Sequence, residues 1–82
     1  MQTITFKGKS ERIAINGSFT NLKVLSCASR VVTPLIHFLF MDGEDEIETI
    51  ELNYEYEVLY TVEIYFESAE NDECSIGYLL TK

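Results

Sequence analysis

Histidine, proline, cysteine and tryptophan are scarce in this chain, and their scarcity excludes several classes of protein. The 82 residues include one histidine, one proline, two cysteines and no tryptophan. Cys27 and Cys74 lie far apart and form neither a disulfide framework nor the ligand set of a zinc site. We therefore expect two reduced thiols that are at least partly buried.

Motifs of catalysis are also missing from the sequence. It has no glycine-rich phosphate loop, no Gly-x-Ser-x-Gly elbow and no pair of histidines at ligand spacing. The one histidine, His37, lies between Ile36 and Phe38 with no nucleophile beside it, which favours a core or turn histidine. A chain this short seldom forms the concave pocket in which a carboxyl group is tuned as a general acid. We predict a protein that is not an enzyme and that binds no cofactor.

Long apolar segments are absent as well. The longest run, residues 34–41, is interrupted by His37 and is too short to span a bilayer. The first residues alternate like a strand and do not resemble a signal peptide. We therefore expect a cytoplasmic protein without a membrane partner.

Basic residues are few, and they are separated from the acidic residues along the chain. Six Lys and Arg against fourteen Asp and Glu give a net charge of −8. Five of the basic residues lie in the first thirty positions, whereas thirteen acids lie between Asp42 and Glu73. Phosphate contacts need clustered Lys and Arg, so this layout argues against direct binding to nucleic acid or to an anionic membrane.

Alternation of apolar and polar residues with a period of two covers most of the chain. It predicts an all-β fold, with residues 1–82 forming a single domain: a small antiparallel β-sandwich or barrel of six to seven short strands. Asn16-Gly17 predicts a hairpin turn. Residues 31–41 fit a buried strand, but Thr33-Pro34 resembles a helix start, so a short helix over residues 34–40 is the alternative.

The longest alternating stretch runs from Ile50 to Phe66. Its even positions are apolar or aromatic, and its tyrosines Tyr54, Tyr56 and Tyr60 are interpreted as core residues. One straight strand of this length would measure about 56 Å, whereas a chain of this size has a diameter near 30 Å. The stretch must therefore break. Asn53 is the predicted turn, because it is the only turn-favouring residue within the stretch.

A turn at Asn53 predicts that two acidic segments meet at one end of the molecule. Residues 46–53 and 56–67 would form a hairpin, and the segments 42–48 and 67–73 would then converge. The predicted partner-binding residues are the acids of those segments and one aromatic residue that is out of phase with the core: Asp42, Glu44, Asp45, Glu46, Glu48, Glu67, Glu70, Asp72, Glu73 and Tyr65. The alternative is a solvated rim that keeps strand edges apart.

The acidity favours a partner of opposite charge. We expect a non-enzymatic acidic binding protein that docks on a positively charged protein surface, such as an inhibitor of a nucleic-acid-handling enzyme of the kind that small phage-type proteins provide. A structural or assembly subunit that associates through a strand edge or aromatic patch, for example as a homodimer, is the first alternative. A calcium-stabilised ligand-binding module is the second, because residues 42–46 offer oxygen ligands, although not at EF-hand spacing.

Overall fold

Eight strands in two four-stranded antiparallel sheets form the computed structural model, which describes residues 1–30 and 33–82. The strands are β1 (Gln2–Lys7), β2 (Ile13–Ala14), β3 (Asn21–Ala28), β4 (Leu35–Phe40), β5 (Asp45–Thr49), β6 (Glu55–Glu57), β7 (Thr61–Glu67) and β8 (Glu73–Thr81). One sheet has the order β1-β8-β3-β6 and the other β2-β7-β4-β5. This order is that of an eight-stranded jelly roll. The predicted all-β sandwich is confirmed, with one strand more than the upper expectation.

The core lies between the two sheets and follows the predicted alternation. In β7, for example, Ile64 and Phe66 face inward, whereas Glu63, Tyr65 and Glu67 point outward from the sandwich. The buried apolar residues come from both sheets and from the segments beside them: Phe6, Ile15, Leu22, Val24, Ile36, Phe38, Ile50, Tyr56, Val58, Ile64, Phe66, Cys74, Ile76 and Tyr78.

The helix considered for residues 34–40 is wrong, since residues 35–40 form strand β4. The apolar side chains there alternate, with Ile36 and Phe38 in the core and His37 on the outer face. Val31 and Val32, which belong to the same apolar run, lie outside the described residues. Across the described ranges we find no helix that could cross a membrane.

The Asn16-Gly17 turn is present, but the hairpin predicted around it is wrong. Asn16 and Gly17 have φ angles of 45° and 78°, and the Ser18 amide donates to the Ile15 carbonyl at 2.8 Å. These are the features of a tight turn with left-handed central residues. The flanking strands β2 and β3 nevertheless enter different sheets, because β2 pairs with β7 and β3 with β8 and β6.

Asn53 also forms a turn, and again the flanking strands do not pair. Its φ angle is 64°, and its amide donates to the Val24 carbonyl at 2.8 Å. The chain then changes sheet, so that β5 is an edge strand of one sheet and β6 an edge strand of the other. A second break, closed by the Thr61 amide and the Val58 carbonyl at 3.1 Å, separates β6 from β7.

The predicted convergence of residues 42–48 with residues 67–73 is therefore wrong for the two turns, although Asp45 and Glu67 both contact His37 of the intervening β4. Strand β4 lies between β5 and β7, and both neighbours run antiparallel to it. Leu39 is opposite Asp45, next to the turn that contains residues 42–44, whereas Leu35 is opposite Glu67, next to the turn that contains residues 68–72. The two acidic turns consequently lie at opposite ends of β4.

Candidate functional site

The predicted partner-binding residues occupy separate places on the sandwich instead of one. Asp42 and Glu44 lie in the β4–β5 turn, and three further acids lie on β5. Tyr65 and Glu67 belong to β7, and the rest lie in the β7–β8 turn or at the start of β8. Their neighbours differ, and those neighbours decide which of them can bind a partner.

One group of acids lies beside basic residues from the start of the chain. Strand β1 pairs with β8 and places Lys7 opposite Glu73. The Ser68 amide donates to the Gly8 carbonyl at 2.7 Å, which brings the β7–β8 turn beside β1. We call this region the mixed-charge end; its charged residues line two adjoining depressions and are Lys7, Lys9, Arg30, Glu67, Glu70, Asp72 and Glu73.

Asp72 is buried within the mixed-charge end and is not part of an exposed acidic cluster. Its side chain is 5% exposed. Its carboxylate accepts hydrogen bonds from the Ser29 hydroxyl, from the Ser68 hydroxyl at 2.9 Å and from the Arg30 amide at 3.3 Å. These bonds join the segment after β3 to the β7–β8 turn, so Asp72 contributes to the structure of this end.

The two thiols lie close to Asp72 and to each other. Cys27 is half-buried and Cys74 fully buried, both are free, and they share a hydrogen bond, in agreement with the expectation of thiols that are at least partly buried. Burial raises the pKa of Cys74 to about 12, and the nearby Cys27 and Asp72 add to this shift. Burial also raises the pKa of Cys27, against the effect of its hydrogen bond with Cys74.

A second group gathers around His37 on the outer face of the sheet that contains β4 and β7. The Nε2 atom lies 2.7 Å from a Glu67 oxygen, and Nδ1 lies 3.5 Å from an Asp45 oxygen. The imidazole stacks on the Tyr65 ring at a centroid distance of 4.2 Å, and the Arg12 guanidinium lies 5.3 Å from the same ring. His37 is buried as predicted, but its neighbours are carboxylates and an aromatic ring on the outside of the sheet.

The expectation that Tyr65 is an exposed aromatic residue is wrong. The stacked His37 ring covers one of its faces, and only 8% of Tyr65 is exposed. The exposed tyrosines are Tyr54 and Tyr60, which the alternating pattern assigned to the core. The alternating pattern therefore predicts the outward face of Tyr65 but not the His37 ring that covers it.

The third group forms what we call the acidic edge. Strands β5 and β6 are the last strands of their sheets, and a groove of about 200 Å³ opens between them. Every residue of β5 is exposed, as are both glutamates of β6. The groove is lined by three glutamates and four aromatic residues: Glu46, Glu48, Glu57, Phe38, Phe40, Tyr54 and Tyr56.

The aromatic residues of the groove pack against one another. Tyr56 is buried, tilts against Phe38 at 5.6 Å and packs edge-to-face with Tyr54 at 4.9 Å. Its hydroxyl accepts a hydrogen bond from the Glu51 amide at 2.8 Å and donates one to the Thr49 carbonyl at 3.3 Å. Burial raises the pKa of Tyr56, against the effect of the bond from Glu51. Tyr54 is 51% exposed and forms the rim of the groove.

The glutamates of the groove form no ion pair among the described residues. The ion pairs found there join Arg12 to Glu63 and Lys23 to Glu55, and the His37 imidazole contacts two carboxylates. None of these pairs includes Glu46, Glu48 or Glu57. The acidic edge is thus a negative surface with an aromatic floor.

The loop considered for calcium has no ligand cluster in the part of the chain that the structure describes. No group of three or more acidic, histidine or cysteine side chains there is arranged to hold a metal ion. Asp42 instead accepts a hydrogen bond from the Glu44 amide at 2.9 Å within the turn.

Comparison with known proteins gives no relative for this chain: no family model, curated protein or solved structure matches it. The site must therefore be interpreted from its own geometry and charge.

Proposed function

We propose that this chain is a non-enzymatic acidic binding protein that docks on a positively charged protein surface through the acidic edge. The observation that supports it is the exposure of Glu46, Glu48 and Glu57 on facing edge strands, with no ion pair to any of them in the described residues. At the mixed-charge end, by contrast, Lys7 and its basic neighbours already offset the acids. An external basic surface is therefore attracted most strongly to the acidic edge.

The fold concentrates negative charge along this edge. The acids that line the groove are Glu46 and Glu48 of β5 and Glu57 of β6, whereas Asp45 and Glu55 contact His37 and Lys23. At about 3.4 Å per residue the five residues of β5 span about 17 Å, so the three groove carboxylates give roughly one charge per 6 Å. Duplex DNA has one charge per about 1.7 Å. The edge is therefore about three times less dense in charge than DNA, and the sign of its charge supports the narrower form of the proposal, an inhibitor that occupies the nucleic-acid site of a phage or host enzyme.

Charge reversal tests the proposal. One variant changes Glu46, Glu48 and Glu57 to Lys; its control changes Glu11, Glu70 and Glu73 to Lys and so alters the net charge equally. A basic partner captured from host lysate by the native chain is purified and titrated with all three proteins at low and high ionic strength. We expect salt to weaken native binding, the edge variant to lose binding and the control to keep it.

An equal loss of affinity in the two variants would show that binding depends on net charge alone, and it would refute a binding site at the acidic edge. Competition with duplex DNA for the same partner tests the narrower form. An inhibitor of the proposed kind is displaced as the DNA concentration rises, whereas a protein that docks elsewhere on the partner is not.

Self-assembly is the second candidate function, and one apolar region favours it. Met41 is 81% exposed and, with Leu59, lines a depression of about 260 Å³ beside the Asn16-Gly17 turn. Exposed apolar side chains that share a surface are typical of contacts between subunits. Sedimentation velocity distinguishes the candidates: assembly gives association that grows with concentration, resists salt and disappears in Met41→Ser, whereas a binder gives none of these.

A further inference from the structure

We propose that the groove of the acidic edge binds the guanidinium group of an arginine side chain supplied by the partner. This inference rests on the proposed function and names the chemical group that the edge recognises. It follows from the size of the groove, the charge of its walls and the aromatic rings of its floor.

The size of the groove fits one side chain. Its volume is about 200 Å³, below the range of about 300–1,000 Å³ that is usual for pockets that hold small-molecule ligands. It is also open along the sandwich edge, between two strands that end their sheets in the described part of the chain. A side chain that projects from a protein segment lying along this edge can therefore enter it.

The walls of the groove select a cation. Glu46 and Glu48 come from one edge strand and Glu57 from the other, so an occupant meets carboxylates on both sides. An anionic occupant would be repelled, and an apolar one would displace water from carboxylates without offering them a donor. A guanidinium group supplies five N–H donors and no acceptor, which matches walls that only accept.

The aromatic rings of the groove favour arginine over lysine. Tyr54 lies at the rim in an edge-to-face contact with Tyr56, and the Tyr56 hydroxyl is bound to the backbone at Thr49 and Glu51. These contacts hold an exposed tyrosine beside the carboxylates. A planar guanidinium can stack on such a ring and still donate to carboxylates at its edge, whereas an ammonium is a compact and strongly hydrated charge.

Two short peptides provide the test. Acetylated and amidated Gly-Arg-Gly-Arg-Gly and its lysine counterpart are titrated separately into the ¹⁵N-labelled protein, and amide shifts are followed by NMR. We expect the shifts to centre on residues 46–48 and 54–57, with the arginine peptide binding about two- to fivefold more tightly than the lysine peptide, as a cation–π contact at a partly exposed site implies.

Variants of the two exposed tyrosines identify the contribution of the aromatic ring to peptide binding. Tyr54→Leu should weaken the binding of the arginine peptide about two- to fivefold and remove its higher affinity relative to the lysine peptide. Tyr54→Phe, which keeps the ring, should restore that advantage. Tyr60→Leu is the matched control, because Tyr60 is exposed but does not line the groove. A dispersed amide spectrum shows that each variant is folded.

Two results would overturn the inference, and they differ in what they say of the proposed function. Equal affinities for the two peptides, unchanged in Tyr54→Leu but lost when Glu46, Glu48 and Glu57 become Lys, refute the arginine site and leave the acidic edge as a binding surface. No shift at the groove with either peptide at low ionic strength refutes both.

Discussion

The acidic edge and the mixed-charge end carry similar numbers of acids but differ in what lies beside them. At the mixed-charge end, strand β1 places Lys7 opposite Glu73, and Lys9 and Arg30 lie nearby. At the acidic edge, β5 and β6 have no outer neighbour, and Lys23 reaches only Glu55 among the described residues. The difference shows that strand order, more than the number of acids, decides which acidic segment is free to attract a partner.

The first prediction concerns Asp72 and has the largest expected effect. Asp72→Ala should lower the free energy of unfolding by about 3 kcal/mol, because it removes a buried carboxylate and leaves the donors of Ser29, Ser68 and Arg30 without their acceptor. Urea unfolding measures the change. The control is Glu73→Ala, at an adjacent exposed position, where we expect a change within about 0.5 kcal/mol. An equal change in unfolding free energy for the two variants would show that the buried hydrogen bonds of Asp72 do not stabilise the fold.

The second prediction concerns the thiols of Cys27 and Cys74, which lie close to Asp72 of the mixed-charge end. The pKa of Cys74 is raised from 9.0 to about 12 by burial, so the folded protein keeps this proton after the unfolded chain has lost it. The free energy of unfolding should therefore fall as the pH rises from about 9 to 12.

Comparison with Cys74→Ala tests this contribution together with that of Cys27, whose pKa depends on its hydrogen bond with Cys74. Tyr56 and Tyr78, whose pKa values burial also raises, are present in both proteins. The native and variant curves of unfolding free energy against pH should then converge above pH 9, because the variant lacks the titrating thiol. Curves that stay parallel up to pH 12 would show that Cys74 titrates alike in both states.

The turns could be predicted from the sequence, but the strands that flank them could not be paired. Asn16-Gly17 and Asn53 adopt the left-handed backbone that their residue types favour. Whether two strands joined by a turn then pair depends on which other strand covers each apolar face. In this fold β2 and β5 pair with β7 and β4 instead of with the next strand along the chain.

The candidate site could be predicted only in part, because it also depends on which strands pair. The acidic run identifies Glu46 and Glu48, but the alternating pattern places Glu57 on the polar face of a hairpin strand and Tyr54 in the core. Their position in the groove depends on the change of sheet at Asn53, which no local signal reports. Tyr65 has the parity of an exposed residue, yet His37 from a neighbouring strand covers it.

The last prediction has the smallest effect and opposite signs in the two regions. Glu46→Lys with Glu48→Lys removes repulsion among unpaired acids, so it should raise the free energy of unfolding by a few tenths of a kcal/mol at low ionic strength. Glu70→Lys with Glu73→Lys places new cations beside Lys7 and Lys9 and should lower it by a similar amount. Both changes should vanish near 1 M salt, where the Debye length is about 3 Å. Urea unfolding of the two variants at low and high salt measures these differences, and changes of the same sign would show that the two regions are electrostatically alike.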